Sequence, residues 1–362
     1  MARKLSSDKL LFTITISLML FGVVMIYSAS AVLGMEKHGN PFYFAIRQIV
    51  WCVISIAAMV GAMYLPYRQW NNKYLVYGSI VVCTALLAVV LALPAIANVH
   101  RWVRYGFFSI QPAEIAKFPL IIFLAYHLAR KQGQIESFWT TILPALIVCG
   151  QFALLTVIEP DLGTAIMFTG ITVGLLFLAG MPWKYFALFA LIALPAFYVF
   201  VLNVGYRRER VFAFFNPEAD AMDTGFQIIQ SLIALGTGGT QGVGLANGIQ
   251  KLFYLPEPHT DFIYAIIGEE LGLIGTIAVV CAYLFFLWRG LRIAWKAPDP
   301  FGQFMAAGIT IMIVLQALIN ISVVIGIVPT KGLPLPFISA GGSSLLVSMV
   351  GVGALLNISQ HV

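Results

Sequence analysis

The chain has 362 residues, of which 60% are hydrophobic and only 10% charged, with a mean hydropathy of +0.92. A soluble domain carries about 25% charged residues, and no soluble fold of this length can bury so much apolar surface, so the composition points to an all-α, polytopic membrane protein. The net charge of +6 suits anionic lipids, and the lack of a basic stripe interleaved with aromatics argues against nucleic acid as a partner.

A membrane span needs roughly 20 apolar residues, which predicts about ten transmembrane helices here. They lie near 10–33, 43–64, 75–95, 112–130, 139–158, 162–180, 185–203, 262–288, 303–327 and 343–359. The first follows Arg3-Lys4 and ends at Ser28-Ala29-Ser30-Ala31, which imitates a secretory signal. Its apolar stretch is long for a signal core and many similar stretches follow, so it reads as an uncleaved first span. Only the Glu159-Pro160-Asp161 turn separates the fifth span from the sixth. The stretch 204–260 is predicted to be a long extracytoplasmic loop within a single integral membrane domain covering 1–362.

Basic residues in short loops set the orientation. Arg3, Lys4, Lys9, Arg68, Lys73, Arg130, Lys131, Lys184, Arg289, Arg292 and Lys296 fall on one side, predicted to be cytoplasmic together with both termini. Arg101 and Arg104 fall on the other side and break the trend, which points to a ligand, with a local salt bridge as the alternative. Cys52, Cys83, Cys149 and Cys281 all lie in apolar runs and read as small buried hydrophobes.

The unusual chemistry gathers on the predicted outer side. Arg101-Trp102-Val103-Arg104 leads through Ile110-Gln111-Pro112-Ala113-Glu114-Ile115-Ala116-Lys117 into the fourth span. Tyr206-Arg207-Arg208-Glu209-Arg210 and a glycine-rich run, Gly236 to Gly248, follow. Then comes Pro256-Glu257-Pro258-His259-Thr260-Asp261-Phe262-Ile263, with Gly268-Glu269-Glu270-Leu271-Gly272 a little further on. The last group is Pro329-Thr330-Lys331-Gly332-Leu333-Pro334-Leu335-Pro336-Phe337-Ile338-Ser339-Ala340-Gly341-Gly342-Ser343-Ser344. The glycine-rich run has no Gly-Lys-Ser/Thr and no βαβ context, so it is neither a P-loop nor a dinucleotide site; its glycines suit tight turns.

An acid where a span meets water is costly and asks for a function. Asp261 has two compatible readings, a catalytic carboxylate and a cap for the helix that follows. Lys117 and Glu114 stand three apart on one helical face. Lys117 is expected to pair with Glu114, Glu159 or Asp161, with substrate contact as the lesser alternative. Glu269 and Glu270 point to different sides of a helix and suit packing or gating. Ser343 and Ser344 suit helix capping or substrate contact, beside glycines that let backbone approach closely.

Together and in this order, these segments resemble the SEDS family (shape, elongation, division and sporulation) of FtsW, RodA and SpoVE, over nearly the whole chain. Gln250-Lys251-Leu252-Phe253-Tyr254-Leu255-Pro256-Glu257, Gly268-Glu269-Glu270 and Pro329-Thr330-Lys331-Gly332 are nearest the FtsW-like division type. One departure is Ala340, where the family often has Tyr.

The resemblance implies a peptidoglycan glycosyltransferase that polymerises lipid II at the outer face of the bacterial cytoplasmic membrane. It also implies a class B penicillin-binding protein as partner, among other divisome or elongasome membrane proteins, and matches the family's essential acid to Asp261. A sugar hydroxyl must attack an anomeric carbon and displace a pyrophosphate. One carboxylate as base and several cations for the leaving group fit this reaction better than a two-carboxylate hydrolase plan. Asp261 is the expected base. Arg101 and Arg104 are expected to hold pyrophosphate, with Arg210 a weaker candidate. Trp102, Lys117, His259, Lys331 and Ser343 complete the expected substrate-binding set. No metal-ligand pattern and no cofactor is evident; a divalent cation (Mg or Mn) assisting the pyrophosphate is left open. The alternatives are a flippase for the lipid-linked precursor, a RodA-like elongation polymerase, and a scaffold for the transpeptidase.

Overall fold

The computed structural model describes residues 7–93, 101–105, 108–220 and 224–362. Ten apolar helices match the predicted spans: α1 (Lys9–His38), α2 (Tyr43–Tyr64), α3 (Lys73–Ala92), α4 (Pro112–Arg130), α5 (Leu143–Ile158), α6 (Leu162–Leu178), α7 (Trp183–Phe197), α10 (Ile263–Lys296), α11 (Pro300–Val324) and α12 (Gly342–Ser359). Nine helical runs among the described residues are long and apolar enough to cross a membrane, and α6 is a shorter apolar helix of 17 residues. This is a multi-pass membrane protein. Helices α4, α11 and α12 form the buried centre, and α7 stands at the periphery with no fully buried side chain among the described residues.

The stretch 204–260, expected as a loop, contains two further helices, α8 (Gly205–Phe215) and α9 (Thr224–Gly238). Helix α9 packs on α10 and α11 through Ile228, Ser231 and Ala234, a buried row at spacing three. At 15 residues it is too short to register as a span. Among the described residues the strands form one antiparallel hairpin, β1 (Val103–Tyr105) with β2 (Phe108–Ile110), in which Arg104 faces Ser109. Arg47 Nη2 of α2 donates to Ser109 Oγ at 2.8 Å and ties this hairpin to the bundle.

Helix α10, expected to be continuous, is interrupted at Gly272 (φ 65°, ψ −161°). A break inside a span leaves backbone groups that lipid cannot satisfy. Here the glycine-rich run supplies the partners. Val243 and Gly244 N–H donate to the Glu269 and Glu270 carbonyls, both at 3.0 Å, and Leu273 N–H donates to the Gly239 carbonyl at 2.9 Å. A Cβ on Gly272 would lie 2.4 Å from the Gly242 nitrogen. Gly272→Ala is therefore expected to destabilise the protein by more than the about 1–3 kcal/mol of this glycine-only backbone conformation alone, seen as a lower unfolding midpoint in detergent.

The two buried acids beside the break hold the next segment. Glu270 accepts from Lys251 Nζ at 2.6 Å, from Ser28 Oγ at 2.7 Å and from Ala246 N–H at 3.0 Å. Glu269 accepts from the N–H of Ile249 at 2.7 Å and of Gln250 at 3.2 Å. They fasten the turn-rich segment 243–251 onto α10, and that segment leads into Asp261.

Candidate active site

Asp261 sits in the turn just before α10, and loop 329–341 straps that turn in place. The carbonyl of His259 accepts from Ala340 N–H at 2.9 Å, and that of Thr260 from Ser339 Oγ at 2.5 Å. The carbonyl of Asp261 accepts from Asn320 Nδ2 at 2.8 Å, and the same amide donates to the Leu333 carbonyl at 2.8 Å. One turn away on α11, Gln316 Nε2 donates to the Pro334 carbonyl at 2.8 Å and to Ser344 Oγ at 3.2 Å. Gln316 and Asn320 thus form a polar ladder, four residues apart in an apolar helix, that fixes both the loop and the turn.

The carboxylate itself is left unspent. The residue capping α10 is Phe262, with no side-chain cap bond, so the capping reading of Asp261 does not hold. Neither oxygen of Asp261 accepts a hydrogen bond among the described residues, and the side chain retains partial solvent access. Gly332 leaves room beside it: a Cβ there would stand 3.0 Å from Asp261 Oδ2.

Burial pushes the Asp261 carboxyl from 3.8 up to about 7, reinforced by Glu257 and opposed by Arg101 and Arg210, with Asp161 adding a smaller push upward. These charges come from the turn itself, the α3–α4 segment, α8 and the α5–α6 turn, so distant parts of the sequence converge on one acid.

The other candidates fall into distinct settings. Arg101 is half-buried and reaches across to the α5–α6 turn, donating through Nε to the Glu159 carbonyl at 3.2 Å and through Nη2 to the Pro160 carbonyl. Trp102 is half-buried beside it. Arg104 lies on β1, and its side chain falls outside the described residues. Lys331 is half-buried, has no ion-pair partner among the described residues, and is pushed down to about 8 by burial. His259 is buried against Phe44, ring centroids 4.6 Å apart. Burial pulls its pKa down, against the pull of Glu257, and Lys37 and Arg47 lower it further. Its Nδ1 has no hydrogen-bond partner among the described residues.

Lys117 is fully buried, with Nζ 2.6 Å from Glu114 Oε1 and 2.8 Å from Gln316 Oε1. The substrate-contact alternative finds no open face on this side chain, and the ion-pair reading describes it. Ser343 is buried in the first turn of α12, where the cap is Gly341 without a side-chain bond, so the capping reading of the serines does not hold either. Gly342 permits the expected close approach, since a Cβ there would meet Trp51 Cε2 at 2.0 Å. Among the described residues no group of three or more His, Cys, Asp or Glu stands where it could hold a metal.

Sequence reasoning missed Gln316 and Asn320, although polar residues inside an apolar run were the available signal, and it gave Ser339 no role of its own within its motif. It also took Glu159 only as a partner for Lys117. Glu159 is wholly buried with both carboxyl oxygens unpartnered among the described residues. Burial and then Asp161 push it up to about 8 against the pull of Arg101, so it carries a proton at neutral pH. Arg207 was passed over as well. It anchors α8 through the Phe200 and Val157 carbonyls at 2.7 and 2.9 Å.

A bundle of membrane-crossing helices with one poised, uncapped carboxylate among arginines at one end defines a multi-pass membrane protein with a polar site at the mouth of its helices. The chain belongs to the FtsW/RodA/SpoVE family of cell cycle proteins, whose family pattern matches residues 8–362. It is 44% identical to a Geobacter metallireducens protein named "Probable peptidoglycan glycosyltransferase FtsW", over 98% of this chain and 95% of that one. It is also 44% identical to stage V sporulation protein E of Bacillus subtilis, over 99% and 98%. Among solved structures it superposes with a TM-score of 0.80 and 28% identity, over 98% of both chains, on one described as "Structural coordination of polymerization and crosslinking by a peptidoglycan synthase complex". The Thermus thermophilus rod shape determining protein RodA shares the fold, with a TM-score of 0.72 at 24% identity, over 98% of this chain and 97% of that one.

Proposed function

We propose that the protein is a peptidoglycan glycosyltransferase of the division type that polymerises lipid II, with Asp261 as general base. The observation that carries this reading is the Asp261 carboxylate, strapped by its backbone, free of hydrogen bonds among the described residues and raised to about 7. The names of the relatives support it. A base whose pKa lies near the working pH combines a useful ionised fraction with real proton affinity.

In the reaction, one Asp261 oxygen takes the proton of an acceptor sugar hydroxyl. The acceptor hydroxyl oxygen forms the new bond to the donor's anomeric carbon, and the carbon–oxygen bond to the polyprenyl pyrophosphate breaks with its electron pair on the leaving group. The departing charge calls for cations. The guanidinium of Arg101 is positioned by the α5–α6 turn with further N–H groups to offer, and Lys331 lies next to the Gly332 that flanks the base. Protonated Glu159 adds no negative charge against the pyrophosphate. We place this end of the bundle outside the bacterial cytoplasmic membrane and both termini inside, on the distribution of basic loops. A class B penicillin-binding protein is the proposed partner, in keeping with a structural neighbour drawn from a synthase complex.

The test is polymerisation of labelled lipid II by the purified protein with its partner. Glycan chains support the reading; translocation in vesicles without chains would replace it with a flippase, and neither with a scaffold. The pH dependence is a sharper check. Activity needs ionised Asp261, so it is expected to fall as the pH drops through about 7. Glu257 raises that pKa, so Glu257→Gln is expected to move the acid limb of the pH–rate profile to lower pH. An unmoved limb would count against Asp261 as the titrating base.

A further inference from the structure

The other end of the bundle holds a cavity of about 310 Å³ that the catalytic reading does not use. It lies about 30 Å from the level of Asp261, the rise of α11 from Pro300 to Asn320 at 1.5 Å per residue. Its wall carries Lys9 from the start of α1 and Arg289, Arg292 and Lys296 from the end of α10. The cavity is a built one, because Asp8 ties three helices together around it. The Asp8 carboxylate caps α1 through Leu11 N–H at 3.0 Å and receives Arg289 Nε at 3.0 Å, while the Asp8 N–H donates to Ser359 Oγ of α12 at 3.0 Å.

Asp8 is thereby spent on Arg289 and the cap. Lys9, Arg292 and Lys296 have no carboxylate partner among the described residues. Set against the four cations, Asp8 is the one acidic side chain in the lining. Arg292 and Lys296 stand four apart and share a helical face, and the positive end of the α1 dipole opens at Lys9 and Leu10. A guanidinium, ammonium groups and a helix start around one concavity are a phosphate-binding chemistry.

Two tryptophans fix the depth of the site. Trp288 and Trp295 are 52% and 89% exposed on the same segment, and Arg289 and Arg292 lie over the Trp288 ring at 5.2 and 5.8 Å. Exposed Trp marks the headgroup level of a bilayer, and Leu10 and Ile293 add apolar wall beside the cations. A soluble phosphate would need neither. We propose that this cavity binds the phosphate of an anionic phospholipid headgroup.

The test uses the full-length protein in detergent, titrated with phosphatidylglycerol or phosphatidylcholine and read by native mass spectrometry. Phosphatidylglycerol is expected to be retained in preference to phosphatidylcholine. Arg292→Gln combined with Lys296→Gln, both exposed positions, is expected to weaken retention about 30-fold, the effect of two cations near a lipid surface. Lys73→Gln, another exposed cation predicted on the same membrane face, is expected to change nothing. Equal retention of both lipids, an unchanged double variant, or an equal loss in Lys73→Gln overturns the site. Displacement by millimolar inorganic phosphate overturns the lipid assignment in favour of a free-phosphate site. Binding is read without polymerisation, so a failure here leaves the role of Asp261 untouched.

Discussion

Asp261→Asn is expected to lower the rate of glycan polymerisation by about 10²–10⁴-fold, the usual contribution of a positioned general base. The substitution keeps the volume and the backbone, so the three carbonyls of residues 259–261 keep their bonds to Ala340, Ser339 and Asn320. Stability follows the opposite course from activity. An unfolded aspartate titrates near 3.8 and this one near 7, so the folded state holds the proton more tightly. Folding therefore weakens as the pH rises from about 4 to about 7. Asparagine removes that dependence, and the variant is expected to unfold at neutral pH no lower in temperature than wild type. Loss of activity together with loss of fold would instead mean that the carboxylate serves the structure. Wild-type rates in the variant would remove Asp261 from the chemistry altogether.

Most of the fold was legible because bilayer thickness imposes a length on every span, and ten apolar runs met it. What stayed hidden was fixed by contacts between distant segments. The break at Gly272 lies in a run that reads as uninterrupted helix; only the glycine-rich segment crossing it, and donating to the Glu269 and Glu270 carbonyls, makes the break tolerable. Helix α9 was hidden by its length. Of the site, Asp261 was legible as a costly charge where a span meets water, and Arg101 as a basic residue that breaks the orientation trend. The polar ladder of Gln316 and Asn320 was not, because one amide in an apolar helix gives no hint of which loop carbonyl it will meet. Whether a carboxylate near a helix start caps that helix depends on a single backbone turn. Here the turn at Phe262 takes the cap position and leaves Asp261 free.

Lys117→Ala is expected to have the largest effect on stability, about 3–5 kcal/mol, because it strands Glu114 as an uncompensated buried carboxylate. That is a large share of the about 5–15 kcal/mol that holds a typical domain, so a sharp drop in the unfolding midpoint is the first readout. The damage should extend to activity. Lys117 holds the carbonyl oxygen of Gln316, whose amide nitrogen holds Pro334 and Ser344, and the next rung of the same helix holds Asp261. A double variant, Glu114→Gln with Lys117→Met, removes both charges while nearly preserving volume, and replacing a buried pair in this way is often neutral. It is expected to recover most of the lost stability and part of the lost polymerisation. A double variant that folds like wild type yet shows no polymerisation would give Lys117 a contact with substrate after all. Recovery of both would confine it to holding α11 against the loop that frames the base.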